Sequence, residues 1–459
     1  MRKRFFGDKA FYKMVFMIAL PLIIQNTITN FVNLLDNIMV GQLGTAQMSG
    51  VSVVNQLIFI FNLTVFGISS GAGVFTSQFF GSKDMDGVRQ TMRYRLISSL
   101  VISAAFIGAM LWKQDTLIGL FLKAESAEDA AAYLAYGKKY LAIMLWGLPA
   151  FALSNAYNGT LREGKQTLIP MLSGTIAVFV NLALNYVLIF GHFGAPKMGV
   201  EGAALATVIS RYVELIIAVL WTHLYPDRCP YAPGLYHSLH IPGKLLKQLI
   251  LKGIPLMGNE VLWSFAITFM NQRYATCGAG VLAALNITSV INLLSNVVTL
   301  SLGIVTAIIL GQMMGAGETC DRIRDESRKL TSLSLLSGIV FGLLLTAAAP
   351  LFPKLYNTTH EIRQTATGMI FILAMFKPVL GIVHANYSAI RSGGKTFLTF
   401  INDSGFMWLV SVPLAVCLTA FTNLPFLTIY FLCQLPEILK LTMSLLIMRG
   451  NGWMQNLTK

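Results

Sequence analysis

Apolar residues in this chain come in long, nearly unbroken runs, such as 96–112 and 333–351. They show neither the rhythm of a surface helix nor the alternation of a half-buried strand. A helix needs roughly 20 apolar residues to cross a hydrocarbon core about 30 Å thick. In that medium backbone groups can bond only to one another, which leaves helices or a closed barrel. Barrel strands would read as alternating segments of about 10 residues, so the runs predict helices. Twelve are expected. In the first half they lie at 14–40, 48–79, 94–113, 133–158, 168–191 and 199–222. In the second half they lie at 245–273, 281–312, 330–351, 364–390, 397–421 and 425–448. Between them, 225–247 carries Pro226, Pro230, Pro233, Gly234 and Pro242 and reads as a linker. The expected division is a first lobe at 1–222, a cytoplasmic linker at 223–244 and a second lobe at 245–459.

The halves repeat each other. Pro21 and Pro255, Gln78 and Gln312, and Gly81 and Gly315 are each 234 positions apart. Tyr157 and Tyr387, and Gly164-Lys165 and Gly394-Lys395, are 230 apart. Six crossings return the chain to its starting side, so the copies are parallel. The expected fold is an all-α polytopic membrane protein. Its twelve transmembrane helices form two six-helix bundles related by a pseudo-two-fold axis along the membrane normal. Transporters place substrate and ion sites near such repeat interfaces.

Composition agrees with lipid as the main solvent. Of the 459 residues 55% are hydrophobic and 12% charged, against about 25% charged in soluble domains. A net charge of +14 taken alone points to nucleic acid, but the basic residues sit in short loops between apolar spans. With the N-terminus inside, 24 of the 34 lysines and arginines fall on that side and eight on the other. The positive-inside rule then puts both termini in the cytoplasm, and no nucleic-acid partner is expected. Cys229, Cys277, Cys320, Cys417 and Cys433 are far apart without a CxxC pair, which predicts neither a disulfide frame nor a zinc site. Arg2-Lys3-Arg4 and the apolar run from Met14 look like a signal peptide. Asn26, Asn30 and Asn33 interrupt that run and no small-residue cleavage site follows, so a retained first helix is expected.

Ionisable groups inside a membrane are costly, so each needs a reason. The leading acids are Asp36 and Glu260. Asp36 lies beside a stripe of Asn26, Asn30, Asn33 and Asn37; Glu260 heads Ser264, Thr268 and Asn271; helix eight adds Thr288, Asn292, Ser295, Asn296 and Thr299. Asn, Ser and Thr can also simply join helices. Counting residues along each span places Asp36, Asn181, Asn185 and Thr207 together in the outer part of the first lobe. A carboxylate with amide and hydroxyl oxygens suits a hard cation such as Na⁺, and the same carboxylate can take a proton instead. The repeat shifts map Asp36 to Met270, Asn181 to Ser411 and Asn185 to Ala415, so coupling is expected in one lobe only.

Lys377 and His384 share a face of helix ten; they line the pathway, contact Glu260, or merely pack. Arg211–Glu214 and Glu437–Lys440 read as structural pairs at i,i+3, and Asp403 as a solvated residue near a helix end. His237 and His240 lack further ligands, so no metal is expected there.

The stretch Leu35-Asp36-Asn37-Ile38-Met39-Val40-Gly41-Gln42-Leu43-Gly44 resembles the first-helix motif of bacterial MATE (multidrug and toxic compound extrusion) exporters. Gln78-x-x-Gly81, Leu161-Arg162-x-Gly164-Lys165, Asn181-x-x-x-Asn185-Tyr186 and Gly199-Val200-x-Gly202-Ala203-Ala204-x-Ala206-Thr207 are similar to further motifs of that family. The resemblance runs from about Lys9 to Arg449. It implies a two-lobe transporter alternating between inward-open and outward-open forms. Such a protein exports cationic or amphipathic organic compounds by antiport with Na⁺ or H⁺. It implies the cytoplasmic membrane as the location, and small-molecule substrates and the lipid bilayer as partners. No cofactor beyond the coupling ion and a monomeric working form are expected. On this resemblance Asp36, Asn181, Asn185 and Thr207 match the first-lobe cation site, and Glu260 matches an acid of the NorM-like branch. Asn33, Asn292, Lys377, His384 and Tyr157 are further pathway candidates. The branch's tenth-helix aspartate is absent: Lys377-Pro378 stands there instead, which puts a second cation site in doubt. A flippase for lipid-linked oligosaccharides is the alternative in the same superfamily. An enzyme is not expected, since Gly67-Ile68-Ser69-Ser70-Gly71 fits GxSxG inside a helix rather than on a strand-to-helix turn.

Overall fold

The computed structural model describes residues 5–121, 127–278 and 280–458, apart from the side chains of Asn33, Leu34, Asn37 and Ala127. Among these residues there is no β-strand, and twelve long helical paths carry the chain. They are α1 (Lys9–Gly41), α2 (Thr45–Ser82), α3 (Met85–Gly119), α4 (Ala127–Glu163), α5 (Leu168–Phe190) and α6 (Val200–Leu224). The second half adds α7 (Gly243–Ala275), α8 (Val281–Gly315), α9 (Cys320–Ala348) and α10 (His360–Ser392), then α11 (Thr396–Phe421) and α12 (Phe426–Arg449). All but α7 contain a stretch long and apolar enough to cross a membrane. At 33 residues α7 has the length, but Asn259 and Glu260 interrupt its apolar run.

Several helices outrun the apolar spans that announce them. α3 starts at Met85 rather than 94 and α9 at Cys320 rather than 330, because a polar turn can continue a helix beyond its apolar run. Asp84 caps α3 by accepting from the Gly87 N–H at 2.9 Å. α12 is not the unbroken helix expected: a turn separates Phe426–Leu432 from Pro436–Arg449, where Pro436 has no N–H to continue the ladder. α11 passes through two π-helical segments, Ile401–Gly405 and Met407–Ser411.

The chain forms two compact units. The first comprises Leu20–Thr76 and Asp84–Ile250; the second comprises Met1–Ala19, Ser77–Lys83 and Leu251–Lys459. The opening turns of α1 and the last turns of α2 thus go with the second unit, and residues 223–244 with the first. In the first unit α3 packs on α4, and α4 and α5 pack on α6. Val54, Leu57, Phe61, Leu141, Leu148 and Ala204 lie in its core. In the second, α8 and α9 pack on α10, and α10 on α12, around Ala266, Met270, Met369, Met407, Ala415 and Ile429.

The repeat is visible in contacts as well as letters. In the first unit Gly174 on α5 sits against the Gln25 side chain of α1. In the second, Ser404 on α11 donates to the Asn259 carbonyl on α7 at 2.6 Å. Those positions are related by the same shifts of 230 and 234.

A buried ion pair braces the first unit. Arg95 on α3 is 1% exposed and donates to Glu163 at 2.6 Å, to Thr160 at 3.0 Å and to the Ser69 carbonyl at 2.9 Å. Removing one partner of such a pair strands the other. Arg95→Ala is therefore expected to cost about 3–5 kcal/mol, measured as a lower unfolding temperature in detergent; an unchanged one would show that the pair is not bracing the unit.

Within the linker, residues 225–242 form a strap fastened to the first unit. Arg89 donates to the carbonyls of Tyr231 and Pro233 at 3.2 and 2.9 Å. Arg93, one turn along α3, donates to those of Leu235 and Gly234 at 2.8 and 2.9 Å. Cys229, Tyr231 and Leu235 are buried beneath. The C-terminal segment behaves alike in the second unit. Gln78 donates to the carbonyls of Ser392 and Gln455, both at 2.9 Å, and accepts from the Leu457 N–H at 2.7 Å, while Trp453 is 1% exposed.

Under that segment, residues 77–83 cross the end of α8. A Cβ on Gly81 would fall on the Gln312 carbonyl, and a Cβ on Gly315 on the Gln78 carbonyl. The contact is reciprocal, as at a two-fold interface, and only glycine permits so close a backbone approach.

Candidate cation-coupling site

The candidate oxygen cluster lies wholly in the first unit. Asn181 and Asn185 sit one turn apart on α5, both buried. α6 comes close alongside because Gly202 has no side chain: a Cβ there would lie 2.7 Å from the Leu188 carbonyl group. This approach brings Thr207 to 3.3 Å from Asn181. Asp36, near the end of α1, completes the group by accepting from Asn185 Nδ2 at 2.7 Å. The four residues that span-counting places together are thus brought together.

Either end of the Asn181 amide can be set against the acid, and the hydrogen bonds favour the nitrogen. Its terminal amide atom nearest the acid lies 2.9 and 3.0 Å from the two Asp36 oxygens. As nitrogen, that atom donates to a bare carboxylate, and the amide oxygen accepts from Thr207 at 3.3 Å. As oxygen, it accepts from Asn185 Nδ2 at 3.2 Å. Two acceptors then face each other, and only a proton or a cation between them removes the repulsion. Asn185 Oδ1 is buried without a hydrogen-bond partner, and buried acceptors are rarely left so. With Thr207 Oγ1 these are oxygens of the type that suit a hard cation, although Asn185 presents its nitrogen rather than Oδ1 to Asp36 and Thr207 lies at the far end of the Asn181 amide. A single carboxylate balances a single positive charge.

At the equivalent position in the second unit the carboxylate and one amide give way to apolar groups, and Asn181 is matched by the buried Ser411. Met270 and Ala415, the repeat counterparts of Asp36 and Asn185, are buried in one hydrophobic core.

Other candidates are placed differently. Glu260 is half-buried on α7 and has Arg391 and Asp403 as its charged neighbours. Lys377 instead reaches Asn292 and Asn296, so the two do not pair. His384 Nδ1 donates to the Leu380 carbonyl at 3.0 Å within its own helix. The Tyr157 hydroxyl is committed to His223 at 3.2 Å and to Tyr236 of the strap. The Asn33 side chain lies outside the described residues. Arg211–Glu214 and Glu437–Lys440 are ion pairs, each at 3.2 Å. Asp403 is not the solvated residue expected. It accepts from Asn259 at 3.0 Å and from Lys440 at 3.3 Å, because α7 and α12 pack over that end of α11.

Arg211 has a further connection that its pairing with Glu214 does not reveal. It is an electrostatic neighbour of Asp36 and lies over the Phe151 ring at 5.2 Å. The signal is in the sequence: Arg211 stands four residues beyond Thr207, on the same helix face. Tyr140, also near Asp36, donates to Asn55 at 3.3 Å; nothing in the α4 pattern marks it.

Two matching half-chains of helices, one bearing an oxygen cluster of this kind, define a duplicated polytopic membrane protein. The MatE family profile matches residues 21–187 and 257–417, one match in each half, and the chain belongs to that family. It is 23% identical over 448 residues to the probable multidrug resistance protein NorM of Thermotoga maritima, covering 96% of this chain and 93% of the relative. The corresponding NorM of Pseudomonas aeruginosa is 26% identical, with 89% and 83% covered. Among solved structures, the Vibrio cholerae MATE transporter VcmN superposes with a TM-score of 0.86 at 17% identity, over 98% of both chains. A MATE crystal structure in the bent conformation gives 0.85 at 19% identity, over 97% of this chain and 96% of that one. These structures share the fold.

Proposed function

We propose that the protein is a secondary active exporter of cationic and other amphipathic organic compounds. It works as a monomer in the cytoplasmic membrane, both termini inside, and is driven by entry of Na⁺ or H⁺. The observation that carries this reading is the Asp36 carboxylate held by Asn185 beside the unpartnered Asn185 oxygen, in a chain whose relatives are named as multidrug resistance proteins.

In the ion-free form both amides donate to Asp36. When a cation or proton arrives, Asn181 turns its oxygen inward and Asn185 offers its free one, so the cluster changes from donors to acceptors. A ligand shifts a conformational equilibrium only through its differential affinity for the two states. The amide reversal supplies such a difference, since a form that locks Asn181 nitrogen-inward binds the ion poorly.

The test is efflux of rhodamine 123 from proteoliposomes, with Na⁺ and proton gradients imposed separately. One of the two is expected to drive efflux well above the level without a gradient. If neither does, the antiport reading fails.

A further inference from the structure

We infer that Lys377, Asn292 and Asn296 form a receptor for an anionic group, a carboxylate, sulfonate or phosphate, on an amphipathic ligand. As a statement about transported substrates it rests on the exporter reading; as a statement about binding it does not.

Lys377 on α10 is 1% exposed. Its Nζ donates to Asn292 Oδ1 at 2.9 Å and to Asn296 Oδ1 at 2.6 Å, one turn apart on α8. An ammonium carries three donors, and both of these partners are neutral. Other buried cations of the chain are treated differently: Arg95 meets Glu163 at 2.6 Å, and Lys440 meets Asp403 at 3.3 Å and Glu437 at 3.2 Å. Among the described residues no carboxylate lies within ion-pair distance of Lys377. A buried charge without a counter-charge is among the least favourable arrangements in a protein interior, and an anion from outside relieves it.

The surroundings fix where that anion arrives. α9 presses on α10 from one side: a Cβ on Gly338 would lie 2.6 Å from the Lys377 carbonyl, and one on Gly342 would lie 3.7 Å from Lys377 Cβ. The lysine is therefore directed at α8. There both amide oxygens point to the ammonium; the Asn296 NH₂ donates back to Asn292 Oδ1 at 3.4 Å, and the Asn292 NH₂ points away. Asn292 and Asn296 are half-exposed while Lys377 is buried behind them. The accessible face of the trio thus carries the Asn292 amide donor, polarised by a full positive charge. Leu300 continues the same stripe of α8 and is 47% exposed, giving apolar surface beside the donor. An anion-accepting donor next to exposed apolar surface fits an amphiphile that carries a negative head.

Fluorescein and rhodamine 123 share a ring system and differ in charge, so they isolate the effect. Binding to the purified protein in uncharged detergent is followed by fluorescence anisotropy. Saturable fluorescein binding is expected, weakened about tenfold or more in Lys377→Gln, the scale of a charge-assisted contact, and largely retained in Lys377→Arg. Asn292→Asp keeps the lysine but gives it an internal counter-charge, and is expected to lose fluorescein equally while unfolding at the wild-type temperature. Rhodamine 123 binding is expected to survive both changes. Adding phosphatidylglycerol separates the sources: displacement of fluorescein assigns the site to a lipid headgroup, and its absence to a soluble anion. No saturable fluorescein binding by the wild type, or binding at the wild-type level in both Lys377→Gln and Asn292→Asp, overturns the inference. Failure of gradient-driven efflux with fluorescein binding intact would touch the exporter reading alone.

Discussion

Asp36→Asn is expected to reduce ion-driven export to the level seen without a gradient, while the protein still inserts and folds. The substitution keeps size and shape but removes the only atom pair in the cluster that can bear a negative charge or exchange a proton. A hydrogen bond or contact to a charged group contributes about 1.5–3 kcal/mol, which corresponds to a loss of roughly ten- to a hundredfold in ion affinity. The 2.7 Å bond from Asn185 can still be made to the new carboxamide oxygen, so the fold should not suffer. Efflux from proteoliposomes, read beside a thermal unfolding curve, checks both halves of the statement. Wild-type export by the variant would remove Asp36 from the mechanism.

The second large effect is expected at the backbone crossing of residues 77–83 with α8. Gly81→Ala and Gly315→Ala each place a methyl group on a main-chain carbonyl. A side chain can rotate away from an intruder; a helical carbonyl cannot without moving its helix. Overpacking costs about 1–3 kcal/mol, and these sites should fall at the upper end, with unfolding several degrees lower. Because either methyl forces the same two segments apart, the second change adds little once the first is made. The double variant is therefore expected to lose clearly less than the sum of the singles. Strict additivity in unfolding measurements would mean that the two glycines do not belong to one joint.

Much of this architecture is legible in the order of residues. Lipid demands long apolar runs, so the twelve paths and the half-chain repeat stand out, and the repeat is recovered in the matching Gln25–Gly174 and Asn259–Ser404 contacts. Asp36, Asn181, Asn185 and Thr207 are legible for the same reason: a polar side chain is conspicuous in an apolar span, and counting along the helix gives its depth. Where the chain leaves the hydrocarbon, that contrast disappears. The strap at 225–242 reads only as a linker because its fastenings, Arg89 and Arg93, lie far away in sequence. Asp403 reads as solvated because its position near a helix end says nothing of α7 and α12 closing over it. The break in α12 was open to reading from Pro436. The π-helical stretch of α11 was not, since no residue there announces a widened turn.

The joint of Gln78 and Gly81 with Gln312 and Gly315 has a bearing on ancestry. A surface that fits a copy of itself needs no second gene: a polypeptide half this length, bearing one Gln-x-x-Gly, would find its mate in an identical molecule. The present chain reads as such a homodimer made permanent by fusion. Its two descendants now differ, one holding an acid where the other holds a methionine, and the seam is the trace of a time when the two were interchangeable.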